Sequence, residues 1–229
     1  RPPRRLTTGI DAAAATRGQV PVLAGKTIAV EGPAFSMLAT PASAGHYYHF
    51  IFDFTRFALA ALRLHPHLAE GTLLVRPGAR PFQRAAFEGI AARHPRLRIL
   101  EVEADTRVRV DELVVVARRR THEIAEFAGA ADLEAISRVY REAHGVAPGP
   151  PHRSIYVSRE KARLRRTINE AEVVAALAGR GFEVVRPEEL SHAEQVRIFA
   201  EAKVVVGTGG AALANCLFAQ AGTRLVEIC

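Results

Sequence analysis

The sequence predicts an α/β protein built on two parallel sheets. Three observations predict it. Short apolar, β-branched runs such as Val204-Val205-Val206 alternate with longer stretches of helical period. A glycine-rich turn, Gly207-Thr208-Gly209-Gly210, follows that run at once. A Pro/Gly stretch at 145–151 divides the chain into two units with the same strand-helix-strand grammar. The units are set at 1–147 and 148–229.

In chain order, residues 1–25 lack pattern and read as a loose lead-in. A short strand is expected at 26–30. Gly32, Pro33 and Pro41 make 31–44 a loop. Residues 45–64 read as a helix, with Tyr47, Ile51, Phe54, Ala58 and Leu62 on one stripe and Phe50, Phe57 and Ala61 beside them. His46, His49, Asp53 and Arg56 fall on the remaining face, which reads as a polar outer surface. Asp53 one turn from His49 is also a candidate acid/base pair. A metal site from His46, His49 and Asp53 has no second cluster to complete it, so no metal is expected. Strands follow at 72–76, 97–102 and 108–116, with helices at 81–93 and 132–144. Arg118-Arg119-Arg120 reads as a solvated loop.

The second unit is more regular. Strands are expected at 155–158, 182–185, 203–206 and 224–228. Helices are expected at 169–179, closed by Gly179 and Gly181, and at 191–200, where Ser191 and Glu194 have capping-box spacing. Residues 211–218 read as a short helix of small residues. Glycines let backbone approach a ligand closely, and the N–H groups of a following helix favour an anion. A basic loop with Arg159, Arg163, Arg165 and Arg166 leaves an earlier strand of the same sheet. Both loops leave carboxyl ends of parallel strands, so both reach one crevice. Guanidinium groups opposite a helix N-terminus suit a diphosphate. Glu227, ending the next strand, is placed to accept ribose hydroxyls.

Composition narrows the classes. The 229 residues are 48% hydrophobic and carry a formal charge of +7, and all the basic residues but Lys26, Lys161 and Lys203 are arginines. That excess suits phosphate, nucleic acid or an anionic membrane surface. Cys216 and Cys229 have no metal spacing and no disulfide framework, in keeping with a reducing compartment. No stretch is apolar enough to span a bilayer, and no signal peptide is visible. Starting at Arg1 and stopping just after a strand, the chain reads as a fragment with flanking elements missing.

With these residues in hand, the chain resembles glycosyltransferase family 61, the capsular-polysaccharide type. Three blocks carry the resemblance. They are Tyr48-His49-Phe50-Ile51-Phe52-Asp53; Tyr156-Val157-Ser158-Arg159 running on to Arg165-Arg166 and Asn169-Glu170-Ala171-Glu172; and Gly207 through Asn215 with Leu217-Phe218, Gly222 and Glu227. One departure is plain. Many relatives resemble Gly-Pro-His-Gly at the turn, so the histidine has no counterpart here and only the backbone cradle carries over. The resemblance implies a GT-B-like fold, two Rossmann-like domains facing a cleft. It implies inverting transfer from a nucleotide sugar, a UDP-sugar as first choice, with no cofactor or metal required. Donor contacts would come from Arg159, Arg165, Arg166, Gly207, Thr208, Gly209, Gly210, Asn215 and Glu227. Asp53 is chosen as the base, with His49 as competitor or orienting partner. The implied acceptor is a glycan or lipid-linked glycan. A cytoplasmic location with peripheral contact at the inner membrane is expected.

Rival readings stay open at this point. Gly207-x-Gly209-x-x-Ala212 with Glu227 also fits an NAD(P)-binding oxidoreductase. The charge suggests a non-catalytic nucleic-acid-binding protein, although the arginines are not interleaved with aromatics and no nucleic-acid partner is expected. A degenerate transferase would bind a sugar nucleotide without turning it over.

Overall fold

The computed structural model describes residues 25–38, 45–115, 129–147, 149–162 and 166–228. Two four-stranded sheets organise them, and every strand pairing is parallel. The first sheet comprises β1 (Thr27–Ser36), β2 (Thr72–Val75), β3 (Arg98–Glu101) and β4 (Arg107–Val114), ordered β3-β2-β1-β4. The second comprises β5 (Arg153–Val157), β6 (Glu183–Val185), β7 (Ala202–Thr208) and β8 (Arg224–Ile228), ordered β6-β5-β7-β8. Each order reverses direction once, between β1 and β4 and between β5 and β7. At such a switch point the loops from adjacent strands leave to opposite sides and open a crevice at the carboxyl ends.

Local chemistry explains the helices. Helix α1 runs without a break through Tyr47–His49, Phe50–Thr55 and Arg56–Leu64. Helix α2 (Pro81–Arg93) opens on a proline, which needs no N–H bond there. The other helices are α3 (Ala130–Ala143), α4 (Glu170–Ala178) and α5 (His192–Ala200). The expected capping box starts α5: the Glu194 N–H donates to Ser191 Oγ at 3.2 Å, and the Ser191 N–H donates to Glu194 Oε2 at 2.8 Å.

Helix α3 ties the halves together. Its apolar stripe, Ile136, Val139 and Tyr140, is fully buried against α2, α5 and the turn after β7. It approaches α2 at Gly89, where a Cβ would lie 2.5 Å from the Val139 carbonyl oxygen. One buried cluster therefore runs from Phe35, Ile51 and Leu73 into Ile155, Val205 and Phe218. The Pro/Gly stretch joins two sheets that share a core.

Four expectations need correction. First, β1 does not stop at Val30. It bulges between Val30 and Pro33 and continues to Ser36, with Gly32 at φ 77° and its N–H donating to Asp111 Oδ2 at 2.8 Å. A bulge tolerates both residues that read as loop formers. Second, the strand-helix-strand grammar read for the first unit lapses at 102–106, which join β3 directly to β4. Third, the segment after the glycine turn, Ala211–Phe218, is a 3-10 helix. Fourth, the middle of α1, Phe50–Thr55, is π-helical. The lead-in, Arg118-Arg119-Arg120, Arg163, Arg165 and Cys229 lie outside the described residues. Among the described helices, none is long and apolar enough to cross a membrane.

Candidate active site

The first switch point carries the carboxylate and imidazole. A helix with uniform 3.6-residue turns would aim Asp53 at solvent. Asp53 lies within the π turn, beside the ends of β1 and β4, and is 2% exposed, which overturns its expected place on a polar outer face. The turn has its own fastener. Thr55 Oγ1 donates to the Phe50 carbonyl at 3.3 Å and lies 2.9 Å from the hydroxyl of the buried Tyr140. Asp53 Oδ2 sits 3.1 Å from His49 Nδ1, with the imidazole 42% exposed and the carboxylate 3%. A pocket of about 110 Å³ opens beside them between the ends of β1 and β4, walled by Phe35, Met37, Phe54, Phe57 and Val114, with Asp53 in its lining. That is less than the roughly 150 Å³ of a cavity that holds benzene, so the pocket suits one small group and not a nucleotide.

The second switch point carries the cation. Arg159 leaves β5 and the glycine turn leaves β7. The two strands are neighbours, with Val157 level with Gly207. A Cβ on Gly210 would fall inside the Arg159 guanidinium, and one on Gly209 would lie 2.5 Å from Glu227 Oε1. Neither glycine has the positive φ that demands glycine, and Gly210 is extended at φ 166°. They are small because a cation lies on one and a carboxylate on the other. Gly207 does a packing job instead, against Leu213 and Val157. Thr208 Oγ1 meets Thr167 Oγ1 at 2.9 Å, which ties the basic loop back to the turn.

Glu170 sets the start of that loop. Its carboxylate is 9% exposed and accepts from the Arg159 backbone N–H at 2.9 Å and the Tyr156 hydroxyl at 3.2 Å. It also sits in the first turn of α4, where the helix dipole favours a negative charge. Sequence reasoning named Glu170 only within the Asn169-Glu170-Ala171-Glu172 block, with no role, and did not single out Thr167 or Thr55. The signal for Glu170 was its place at a helix start directly after a basic loop.

The structure therefore brings together Arg159, Thr208, Gly209, Gly210 and Glu227 at one switch point, and His49 and Asp53 at the other. Arg166 is exposed, and Arg165 lies outside the described residues. Asn215 takes a different place. It is 0% exposed, accepts from the Tyr47 hydroxyl and donates to Gln195 Oε1 at 3.0 Å. Burial drives the Tyr47 phenol well above its usual range and pulls His192 down to about 3. The His46 ring lies 4.9 Å from that of His49, but among the described residues no three His, Cys, Asp or Glu side chains gather as a metal site.

The arrangement can hold a phosphorylated group over backbone and a guanidinium, and can move a proton at a shielded carboxylate-imidazole pair. No curated protein matches the chain. The profile of the family described as Glycosyltransferase 61 matches residues 47–226, which takes in both switch points. The chain belongs to the glycosyltransferase 61 family, a family of glycosyltransferases.

Proposed function

We propose that the chain is an inverting transferase that moves a sugar from a nucleotide-sugar donor to an acceptor hydroxyl, its two sheets acting as the halves of a GT-B-like enzyme. One observation carries the reading. A guanidinium lies at the β5/β7 switch point and a carboxylate–imidazole pair at β1/β4, which supports a transfer that needs both a cation and a proton acceptor.

The donor diphosphate lies over Gly209 and Gly210 against Arg159, with Glu227 toward the ribose. The acceptor hydroxyl enters from the β1/β4 side. Burial of Asp53 behind an exposed imidazole favours a division of labour: Asp53 orients the ring through Nδ1–H, and His49 Nε2 takes the proton. This exchanges the roles expected from sequence. As the acceptor oxygen bonds to the anomeric carbon, the bond to the diphosphate breaks, and Arg159 and nearby N–H groups take up the leaving charge. Direct displacement inverts that carbon. A UDP-sugar is the first-choice donor, and a glycan or lipid-linked glycan at an anionic membrane face is the acceptor.

The test offers the protein UDP-, GDP- and CMP-sugars with glycan acceptors and follows acceptor-dependent nucleotide release. Release with one donor, abolished by Asp53→Asn, supports the reading. Equal turnover by Asp53→Asn removes the pair from the mechanism, and no release with any donor rejects the transferase assignment.

A further inference from the structure

A file of polar side chains, buried at His192 and Asn215 and partly buried at its other members, runs between the two switch points, and none of the chemistry above uses it. His144, at the end of α3, lies 2.9 Å from His192 Nδ1 through its Nε2. His192 Nε2 lies 3.2 Å from the Tyr47 hydroxyl. Tyr47 donates to Asn215 Oδ1, and Asn215 donates to Gln195. Gln195 Nε2 donates to the Pro187 and Leu190 carbonyls at 2.8 and 3.2 Å.

Hydrogen-bond bookkeeping gives the file one direction. Tyr47 spends its only proton on Asn215, so toward His192 it can only accept. His192 must then carry its proton on Nε2 and accept at Nδ1 from His144. A neutral His192 meets both demands, and its burial among Tyr47, Phe82, Tyr140 and Phe218 holds it neutral. Every member is satisfied, as a buried network must be.

The two ends of the central bond matter most. Tyr47 stands on the first turn of α1 with His49, and that helix continues to Asp53. Asn215 stands on the 3-10 helix whose Leu213 N–H donates to the Gly210 carbonyl at 3.1 Å. Apolar faces slide over one another at little cost, whereas a hydrogen bond between two buried groups fixes one register. Resting on the transferase reading, we propose that Tyr47 and Asn215 are positioning residues: their bond sets the distance between the His49–Asp53 pair and the donor turn.

Transfer to acceptor, donor hydrolysis in its absence, both KM values and the melting temperature are measured for wild type, Tyr47→Phe, Asn215→Leu and the double variant. In hydrolysis water replaces the acceptor hydroxyl at the anomeric carbon, so it needs the donor turn but not the exact placing of the base. The expected result is a fall in transfer kcat of roughly 10–100-fold, as misplacement by about an ångström costs, with both KM values nearly unchanged and hydrolysis spared. The double variant should fall well short of the product of the two single effects, because the Tyr47–Asn215 bond is lost in both, while Tyr47→Phe also removes the His192 contact and Asn215→Leu the Gln195 contact. Parallel loss of transfer and hydrolysis, multiplying effects, or unchanged transfer would each overturn the proposal. An active wild type silenced by Asp53→Asn but indifferent to Tyr47→Phe would sink it alone, and an inactive wild type would sink the transferase reading with it.

Discussion

The two switch points solve opposite problems with opposite materials. At β1/β4 the candidate groups are a buried carboxylate, Asp53 at 2% exposed beside aromatic walls, and the half-exposed imidazole of His49 in front of it. At β5/β7 the working cation is always charged and lies on bare backbone, with a carboxylate on the next glycine. A leaving diphosphate needs charge that does not depend on pH. The difference teaches that the first half shapes its site by burying a side chain, whereas the second shapes it by leaving two glycines bare beneath Arg159 and Glu227.

The largest expected effect breaks the first member of the pair. Asp53→Asn should lower transfer by about 10²–10⁴-fold, the usual worth of general base catalysis, with donor affinity intact in a binding titration. His49→Gln should fall in the same range; a much smaller loss would return the base to Asp53 itself. A smaller effect targets the second. Gly210→Ala should displace the Arg159 guanidinium and weaken donor binding by about 1.5–3 kcal/mol, the worth of a charged hydrogen bond. Saturating turnover should change far less, and an unchanged dissociation constant would show that Arg159 does not need that surface.

A stability effect, with no direct bearing on turnover, belongs to the seam between the halves. Unfolded, His192 takes up a proton near its ordinary 6.5; folded, burial delays this to about 3. Between those values the unfolded chain binds the extra proton, so stability should fall as pH drops from 6.5 toward 3. His144 is displaced in the same direction by burial. His192→Gln should flatten part of that slope in urea melts at stepped pH, and an identical slope would mean that His192 is not its source.

Much of this architecture was legible in the residues. Apolar β-branched runs marked β2, β5 and β7, and Ser191 with Glu194 marked the start of α5, because strand burial and capping are local effects. The facing of the Arg159 loop and the glycine turn also followed, since parallel strands send both loops to one end. What failed was phase and reach. A helical period alone turns Asp53 outward, because it does not show that the ends of β1 and β4 pack over that face. Gly32 and Pro33 stopped β1 on paper, whereas long-range pairing with β4 carries the strand past them. Asn215 read as part of the phosphate cradle, although a single amide within Ala211–Phe218, otherwise apolar but for Cys216, is the mark of a buried polar contact. Its partner Tyr47 is 168 residues away, beyond any local pattern.

The most direct test of the division between the switch points is a thermal-shift titration of wild type, Arg159→Ala and Asp53→Asn with UDP, GDP, CMP and NAD. A ligand that binds only the folded state must raise the melting temperature. The account predicts a rise with one nucleoside diphosphate, kept in Asp53→Asn and lost in Arg159→Ala. A rise with NAD alone, or one that survives Arg159→Ala and disappears in Asp53→Asn, would contradict it.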